Sequence, residues 1–311
     1  MRRATILCLV CLLYFTFLGD SSSQPRPQSN IAVLFPDIGD PYRSVFLKII
    51  DGIEDKTKSR VLSLPVSNNA DSTEIATQLK RNEIKTVIAL GRNGVKASAN
   101  IERDIKLVAG GVISLAPADA QNAIINSLAP DPAMLFARLK LLLPQIKRIH
   151  VVYESQQNGW LIRSAQNAAK THGLEIVAYE AGDIKAAMLH YQQILSKANA
   201  KTDALWLPQD SKTVQDTVVL PVVLRSAWDS SLAVFSSNVS HVSQGVLFAL
   251  YPDNFEYGRK LGQSAMQSGT APGIAPLKEV MVAINLSTAS HLHINLNYGQ
   301  LQEYQMTFPE R

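Results

Sequence analysis

Short apolar runs alternate with amphipathic segments along most of the chain, and this alternation limits the possible folds more than any other feature. The runs Ile31–Phe35 and Ala204–Leu207 contain no polar residue, which is typical of strands buried on both faces of a sheet. Segment 159–172, which ends before Gly173, carries apolar residues at helical spacing. Strands that alternate with helices predict βαβ units, a mostly parallel sheet and right-handed crossovers.

The alternation forms two similar series that meet at a short joint. The first series ends near Leu143 and the second begins near Arg148. A joint this short cannot act as a loose linker, so the two parts must lie against each other. We therefore predict an α/β fold with two doubly wound parallel-sheet lobes joined by a hinge.

A strand–helix–strand pattern follows the second series and is too small to fold alone. It must complete one or both lobes, so we expect the chain to cross between the lobes more than once. The expected division is a signal peptide at 1–23, lobe 1 at 29–143 plus about 245–272, and lobe 2 at 144–240 plus about 275–311.

The N-terminus has the order of a secretory signal. Two arginines follow Met1, Ile6–Leu18 is almost wholly apolar, and Gly19–Pro25 is small and polar. The apolar run is shorter than the roughly 20 residues that a membrane-spanning helix needs. We therefore expect a cleaved signal peptide rather than a retained anchor, and a periplasmic mature protein.

Composition excludes several classes of protein. The chain is 46% hydrophobic and 18% charged, which is typical of a globular protein. Its formal net charge of +4 is too small and too scattered for a nucleic-acid-binding protein. Both cysteines, Cys8 and Cys11, lie in the predicted signal peptide, so we expect neither a disulfide nor a thiolate metal site in the mature chain.

Polar loops follow the predicted strands, and in an open parallel sheet such loops form the ligand site. Their amide, hydroxyl and charged groups suit hydrogen bonding to a small polar solute, although turn and capping chemistry explains the same residue types. Helix starts expected at Gly94 and Gly159 would add free N–H groups. The candidate ligand-binding residues are Asp40, Tyr42, Arg92, Asn93, Asn158, Trp160, Gln209, Asp210, Ser237 and Asn238.

The sequence offers little support for catalysis, a metal or a cofactor. It contains neither a G-x-S-x-G nucleophile elbow nor a phosphate-binding glycine loop. His291 and His293 form the one close histidine pair, but no obvious further ligands accompany them. We therefore expect no catalytic residue, no metal and no cofactor.

Several segments resemble one known family. Leu142–Tyr153, Gly245–Asn254 and Ala283–Ala289 are similar to segments of the ABC transporter substrate-binding proteins, in the tryptophan-binding-protein-like group. The resemblance implies a type I periplasmic binding fold and delivery of a solute to a membrane permease. Better-known members of this family bind amino acids. Segments Pro36–Tyr42 and Ser114–Pro132 depart from the family pattern, so the resemblance does not identify the solute.

These observations favour a periplasmic, monomeric protein that captures a small polar solute, such as an amino acid, for an ABC permease. One alternative keeps the fold but makes the protein the ligand-binding partner of a membrane sensor. Another is a periplasmic enzyme on a similar fold, which would turn its ligand over. The sequence alone does not separate transport from sensing.

Overall fold

The computed structural model describes residues 28–120 and 122–309, so the predicted signal peptide at 1–23 lies outside the described residues. Thirteen strands form two sheets within these ranges. The predicted fold class is confirmed, because both sheets are dominated by parallel strands connected through helices.

The first sheet has six strands, all parallel, in the order β11-β5-β4-β3-β1-β2. Its strands are β1 (Gln28–Pro36), β2 (Arg60–Val66), β3 (Thr86–Leu90), β4 (Lys106–Gly110), β5 (Ala123–Pro130) and β11 (Gly273–Leu277). The helices of this lobe are α1 (Tyr42–Thr57), α2 (Ser72–Arg81), α3 (Gly91–Ala97), α4 (Pro117–Ala120) and α10 (Asn254–Met266).

The second sheet has seven strands in the order β13-β12-β10-β9-β8-β6-β7, with the edge pair β12 and β13 antiparallel to the rest. The strands are β6 (Arg148–Tyr153), β7 (Glu175–Glu180), β8 (Asp203–Leu207), β9 (Ala233–Ser236), β10 (Phe248–Pro252), β12 (Val280–Asn285) and β13 (Met306–Phe308). The helices are α5 (Pro132–Leu142), α6 (Ser155–Thr171), α7 (Ile184–Lys197), α8 (Val219–Asp229), α9 (Ser240–Ser243), α11 (Leu286–His291) and α12 (Tyr298–Leu301).

Alternate residues of the central strands pack on opposite faces of each sheet. In β1, Ile31, Val33 and Phe35 belong to one buried cluster, whereas Ala32 and Leu34 belong to another. Strand β8 divides in the same way between the two clusters of the second lobe. Each sheet is thus covered by helices on both faces, which is why its central strands read as continuous apolar runs.

The division between the lobes differs from the expected one at three elements. Strand β10 was expected in lobe 1, but it pairs with β9 and β12 of the second sheet. Strand β11, whose last three residues were expected in lobe 2, pairs with β5 in the first sheet. Helix α5, also expected in lobe 1, contributes Leu135, Phe136 and Leu139 to a core of the second lobe. Hydrogen-bond partners and buried faces decide these memberships, and a single segment does not reveal its partners.

Among the described helices, none combines the length and the apolar character that a bilayer crossing requires.

Helices α1 and α10 approach so closely that glycine is required in their contact. A Cβ atom on Gly258 would lie 2.0 Å from the carbonyl oxygen of Ile49, and one on Gly52 would lie 2.1 Å from that of Phe255. Neither carbonyl can move without disturbing its own helix. This backbone contact attaches α10, which arrives from the second lobe, to the first lobe.

We predict that Gly258→Ala lowers the free energy of unfolding by about 3 kcal/mol, because overpacking forces the two helices apart. Gly182→Ala is the matched control, since a Cβ atom there meets nothing within 4 Å. Urea unfolding followed by circular dichroism measures both. Equal stability of the two variants would show that the helices do not pack this closely.

Candidate functional site

Three short segments, 130–132, 252–254 and 277–280, connect the lobes and are called the crossing segments below. They leave the carboxyl ends of β5, β10 and β11, and the third enters β12 opposite the end of β10. Two main-chain bonds tie them together: Asp131 N–H donates to Leu277 O at 2.8 Å, and Asp253 N–H donates to Glu279 O at 2.9 Å.

This topology places the carboxyl edge of each sheet beside the crossing segments. The loops at those two edges therefore form the two walls of one cleft, with the crossing segments along its side. Parallel α/β sheets bind ligands at this edge. The cleft is the candidate site, and the ten predicted residues divide between its walls.

The wall on the first lobe carries exposed polar side chains. Asp40 lies in the loop after β1 and Tyr42 at the start of α1, and Tyr42 is 68% exposed. Arg92 is exposed and Asn93 is half-buried at the start of α3. Within the described part of the chain, no carboxylate lies within ion-pair distance of Arg92. The structure brings these four predicted residues to the same edge of the first sheet.

The expected helix start at Gly94 is wrong, because α3 begins at Gly91 and has only seven residues. The glycines of this region instead allow close packing of the backbone. Gly91 and Gly111 both have positive φ, and a Cβ atom on Gly111 would lie 2.9 Å from Gly91 N. A Cβ atom on Gly94 would lie 2.6 Å from Leu34 O, so this glycine serves packing against β1.

The wall on the second lobe is organised around Asp210, which is 4% exposed. Its Oδ2 accepts from Glu154 N at 2.7 Å and from Asn158 Nδ2 at 3.0 Å. Its Oδ1 accepts from Lys212 N at 3.0 Å and Thr213 N at 3.1 Å. Asp210 is a predicted solute contact, but four protein donors already occupy its oxygens. Asp210 instead joins the loop after β8 to the start of α6.

Three buried polar atoms on this wall have no partner among the described residues. They are Asn158 Oδ1, Gln209 Oε1 and Trp160 Nε1, one predicted residue each. Asn158 itself is fully buried, and its Nδ2 also donates to Gln209 O at 3.2 Å. Trp160 is half-buried against an apolar cluster of the second lobe. Buried polar groups without hydrogen-bond partners are rare in proteins, so these three atoms are candidates for contact with a bound solute.

The helix start expected at Gly159 is also wrong, because α6 begins at Ser155 and is capped by Glu154. Glu154 accepts from Gln157 N at 2.9 Å and pairs with Lys212 Nζ at 3.2 Å. Burial opposes its ionisation, but the backbone N–H groups and Lys212 outweigh that cost and lower the pKa of Glu154. The N-terminus of α6 is therefore occupied by the protein's own carboxylate. Glu154 is not among the ten predicted residues, and its position directly before a helical pattern was the available signal.

The loop after β9 completes this wall with Ser237 and Asn238. Ser237 is buried, and its Oγ accepts from Trp206 Nε1 at 3.0 Å. Asn238 is half-buried, and its Oδ1 accepts from Ser240 N and Ser240 Oγ at 3.1 and 3.0 Å. Ser237 is thus fixed by the core, whereas Asn238 lies at the surface of the wall.

A separate cavity of about 480 Å³ opens at the opposite, amino edge of the first sheet, beside Thr86 and Asn122. Lys106 lies in it and donates to the carbonyl oxygens of Ser264 and Ala265 at 2.6 and 3.1 Å. Lys106 therefore caps the C-terminal end of α10, and this cavity is not part of the cleft. Across the described residues, no group of three His, Cys, Asp or Glu side chains is arranged to hold a metal ion.

Comparison with solved structures shows the same fold in several proteins. A conserved domain protein from Vibrio cholerae O1 biovar El Tor is 18% identical, with a TM-score of 0.53, over 91% of this chain and 99% of its own. An ABC domain from Streptococcus pneumoniae in complex with L-Trp is 18% identical, with a TM-score of 0.52, over 91% of this chain and 100% of its own.

The ligand-free, open structure of a substrate-binding protein with adhesive properties from Clostridium difficile has a TM-score of 0.63. It is 14% identical over 90% of this chain and 98% of its own. No curated protein matches the chain. The family model described as ABC transporter substrate binding protein matches residues 49–311, which is most of the sequence. The chain therefore belongs to the ABC transporter substrate-binding protein family.

Proposed function

We propose that the protein is an exported, monomeric solute-binding protein that captures a small polar solute between its lobes and delivers it unchanged to an ABC permease. The observation that carries this proposal is the pair of polar loop walls at two carboxyl edges, joined by three short crossing segments. A solute that contacts both walls stabilises the closed arrangement of the lobes, because in the open arrangement it contacts only one wall.

The chemistry of the walls favours an amino acid. Arg92 on the first lobe is an exposed cation with no carboxylate at ion-pair distance among the described residues, which suits the carboxylate of a solute. Within the described ranges, the side-chain oxygens of Asn158 and Gln209 on the second lobe accept no hydrogen bond, which suits the ammonium group of a solute. The Streptococcus pneumoniae domain with bound L-Trp supports the same class of solute.

We predict that one or more members of a panel of the twenty L-amino acids raise the melting temperature of the mature protein. At 100 times its dissociation constant, a solute stabilises the folded state by about 2.7 kcal/mol. Differential scanning fluorimetry measures the shift, and small-angle scattering of the best binder checks that the radius of gyration falls. Shifts without compaction would contradict capture by closure.

We predict that Arg92→Ala weakens binding of the best amino acid by about tenfold or more, since a charge-assisted hydrogen bond contributes roughly 1.5–3 kcal/mol. Arg103→Ala is the matched control, because Arg103 is also exposed but lies before β4, at the far edge of the sheet. Isothermal titration calorimetry of both variants gives the comparison. Equal losses would assign the effect to net charge rather than to the site.

We predict that Trp160→Phe weakens solute binding while changing the free energy of unfolding by only about 1 kcal/mol. The substitution keeps a ring in the apolar cluster and removes a buried N–H for which the described residues provide no acceptor. The loss of packing and the relief of the unpaired donor therefore oppose each other. Calorimetry and urea unfolding measure the two quantities. Unchanged affinity would exclude the indole N–H from solute contact.

A further inference from the structure

His241 lies directly behind the loop after β9 and is 2% exposed. Its Nδ1 is 2.9 Å from Ser236 Oγ, and its Nε2 is 3.2 Å from Asn238 Nδ2 and 3.1 Å from Asp216 Oδ1. One imidazole therefore connects the end of β9, a residue of the cleft wall and the segment before α8.

The two groups at Nε2 make opposite demands on this nitrogen. Asn238 Oδ1 is held by Ser240, which turns the amide nitrogen of Asn238, a donor, toward the ring. This donor needs a lone pair on Nε2. Asp216 offers a carboxylate oxygen, which needs an N–H there. Nε2 satisfies one of them at a time, so its protonation decides which segment the ring holds.

The surroundings of Nδ1 determine which neutral form fits. Ser236 Oγ donates to Leu207 O at 3.1 Å and accepts from Asn238 N at 3.0 Å. With its proton used in this way, Ser236 Oγ accepts from an Nδ1–H group. The neutral ring then leaves Nε2 free to accept from Asn238, whereas the imidazolium donates to Ser236 and Asp216 and repels the amide of Asn238.

The charges around His241 are few. Burial lowers its pKa, and Asp216, which is itself half exposed, opposes that effect. On the segment that bears Asp216, the carboxylate of Asp210 is occupied by four donors, and Lys212 pairs with Glu154.

The strands packed beside α9 add no further charge. Tyr251 is the titratable group on β10, and burial raises its pKa so that it stays neutral. Strand β12 and the short strand β13 bear no titratable side chain. The ring therefore responds mainly to pH and to Asp216.

We propose that His241 is a positioning residue whose neutral ring holds Asn238 in the cleft wall, and whose protonation transfers the contact to Asp216 and weakens solute capture. The second half of this statement rests on the proposed function, whereas the exchange of partners does not. Affinity is then full above the pKa of His241 and falls as the pH drops through it, by roughly two- to tenfold for one lost hydrogen bond.

The exchange of partners is tested in the ligand-free mature protein by NMR. We expect the side-chain amide signals of Asn238 to change with the same midpoint pH as the ring of His241. In Asp216→Asn, loss of the carboxylate destabilises the imidazolium, so both midpoints move to lower pH together. An Asn238 signal that ignores the titration of His241, or midpoints that move apart in Asp216→Asn, would overturn the proposal.

Solute capture is tested by calorimetry between pH 8 and pH 4.5, with the L-amino acid that gives the largest thermal shift. We expect His241→Gln to keep the affinity of the neutral protein and lose the additional fall on acidification, because its amide oxygen accepts from Asn238 and does not titrate in this range. The control Ser243→Ala alters an exposed position on the same helix, leaves the side-chain contacts of His241 and Asn238 in place, and keeps the fall.

The outcomes separate the two proposals. If the NMR signals titrate together but affinity is the same for wild type and His241→Gln at every pH, His241 does not position a solute contact, and the proposed function stands. If no L-amino acid binds at any pH, the proposed class of solute is wrong. The NMR result then decides the exchange of partners by itself, and the role in capture is rejected.

Discussion

The crossing segments are held to each other by main-chain hydrogen bonds, Asp131 to Leu277 and Asp253 to Glu279, and the rest of the site depends on this junction. Because each segment leaves or enters a sheet at its carboxyl edge, the junction brings two such edges together. It also confines relative motion of the lobes to a few backbone dihedral angles in the crossing segments, which is the usual form of a hinge. The close glycine contact between α1 and α10 attaches the helix that follows 252–254 to the first lobe.

The two walls of the cleft differ in how far the protein has already satisfied their polar groups. On the second lobe, donors saturate the buried carboxylates of Asp210 and Glu154 and so tie the loop backbones together, while Asn158 Oδ1 and Gln209 Oε1 have no partner among the described residues. On the first lobe, the side chains of Tyr42 and Arg92 are exposed to solvent. Under the proposed function, an ordered wall binds first at little entropic cost, and the exposed wall gains its contacts on closure.

Much of the fold was predictable because the central strands are short apolar runs, which are typical of strands buried on both faces of a sheet. The elements that were misplaced depend on partners distant in sequence. Strand β10 reads like any buried strand, and only its pairing with β9 and β12 assigns it to the second lobe. Strand β5 was not predicted at all, because Ala123–Pro130 includes Asn126 and Ser127, polar residues that are buried through bonds to other segments. The loops of the site were predictable, because they follow the carboxyl ends of strands that are recognisable in the sequence. The sequence does not show which side chains in these loops are already hydrogen-bonded to the rest of the protein.

The segment between β8 and α8 shows why. It contains no regular helix, and α8 begins only at Val219. Asp210 bonds the loop after β6, Thr213 Oγ1 donates to Val152 O at 3.3 Å, and Asp216 reaches His241 beside the loop after β9. A helix beginning at Lys212 would wind these side chains around one axis and break some of these contacts. The segment is therefore irregular because it connects both neighbouring loops, and it is through this connection that a proton on His241 can alter the cleft wall.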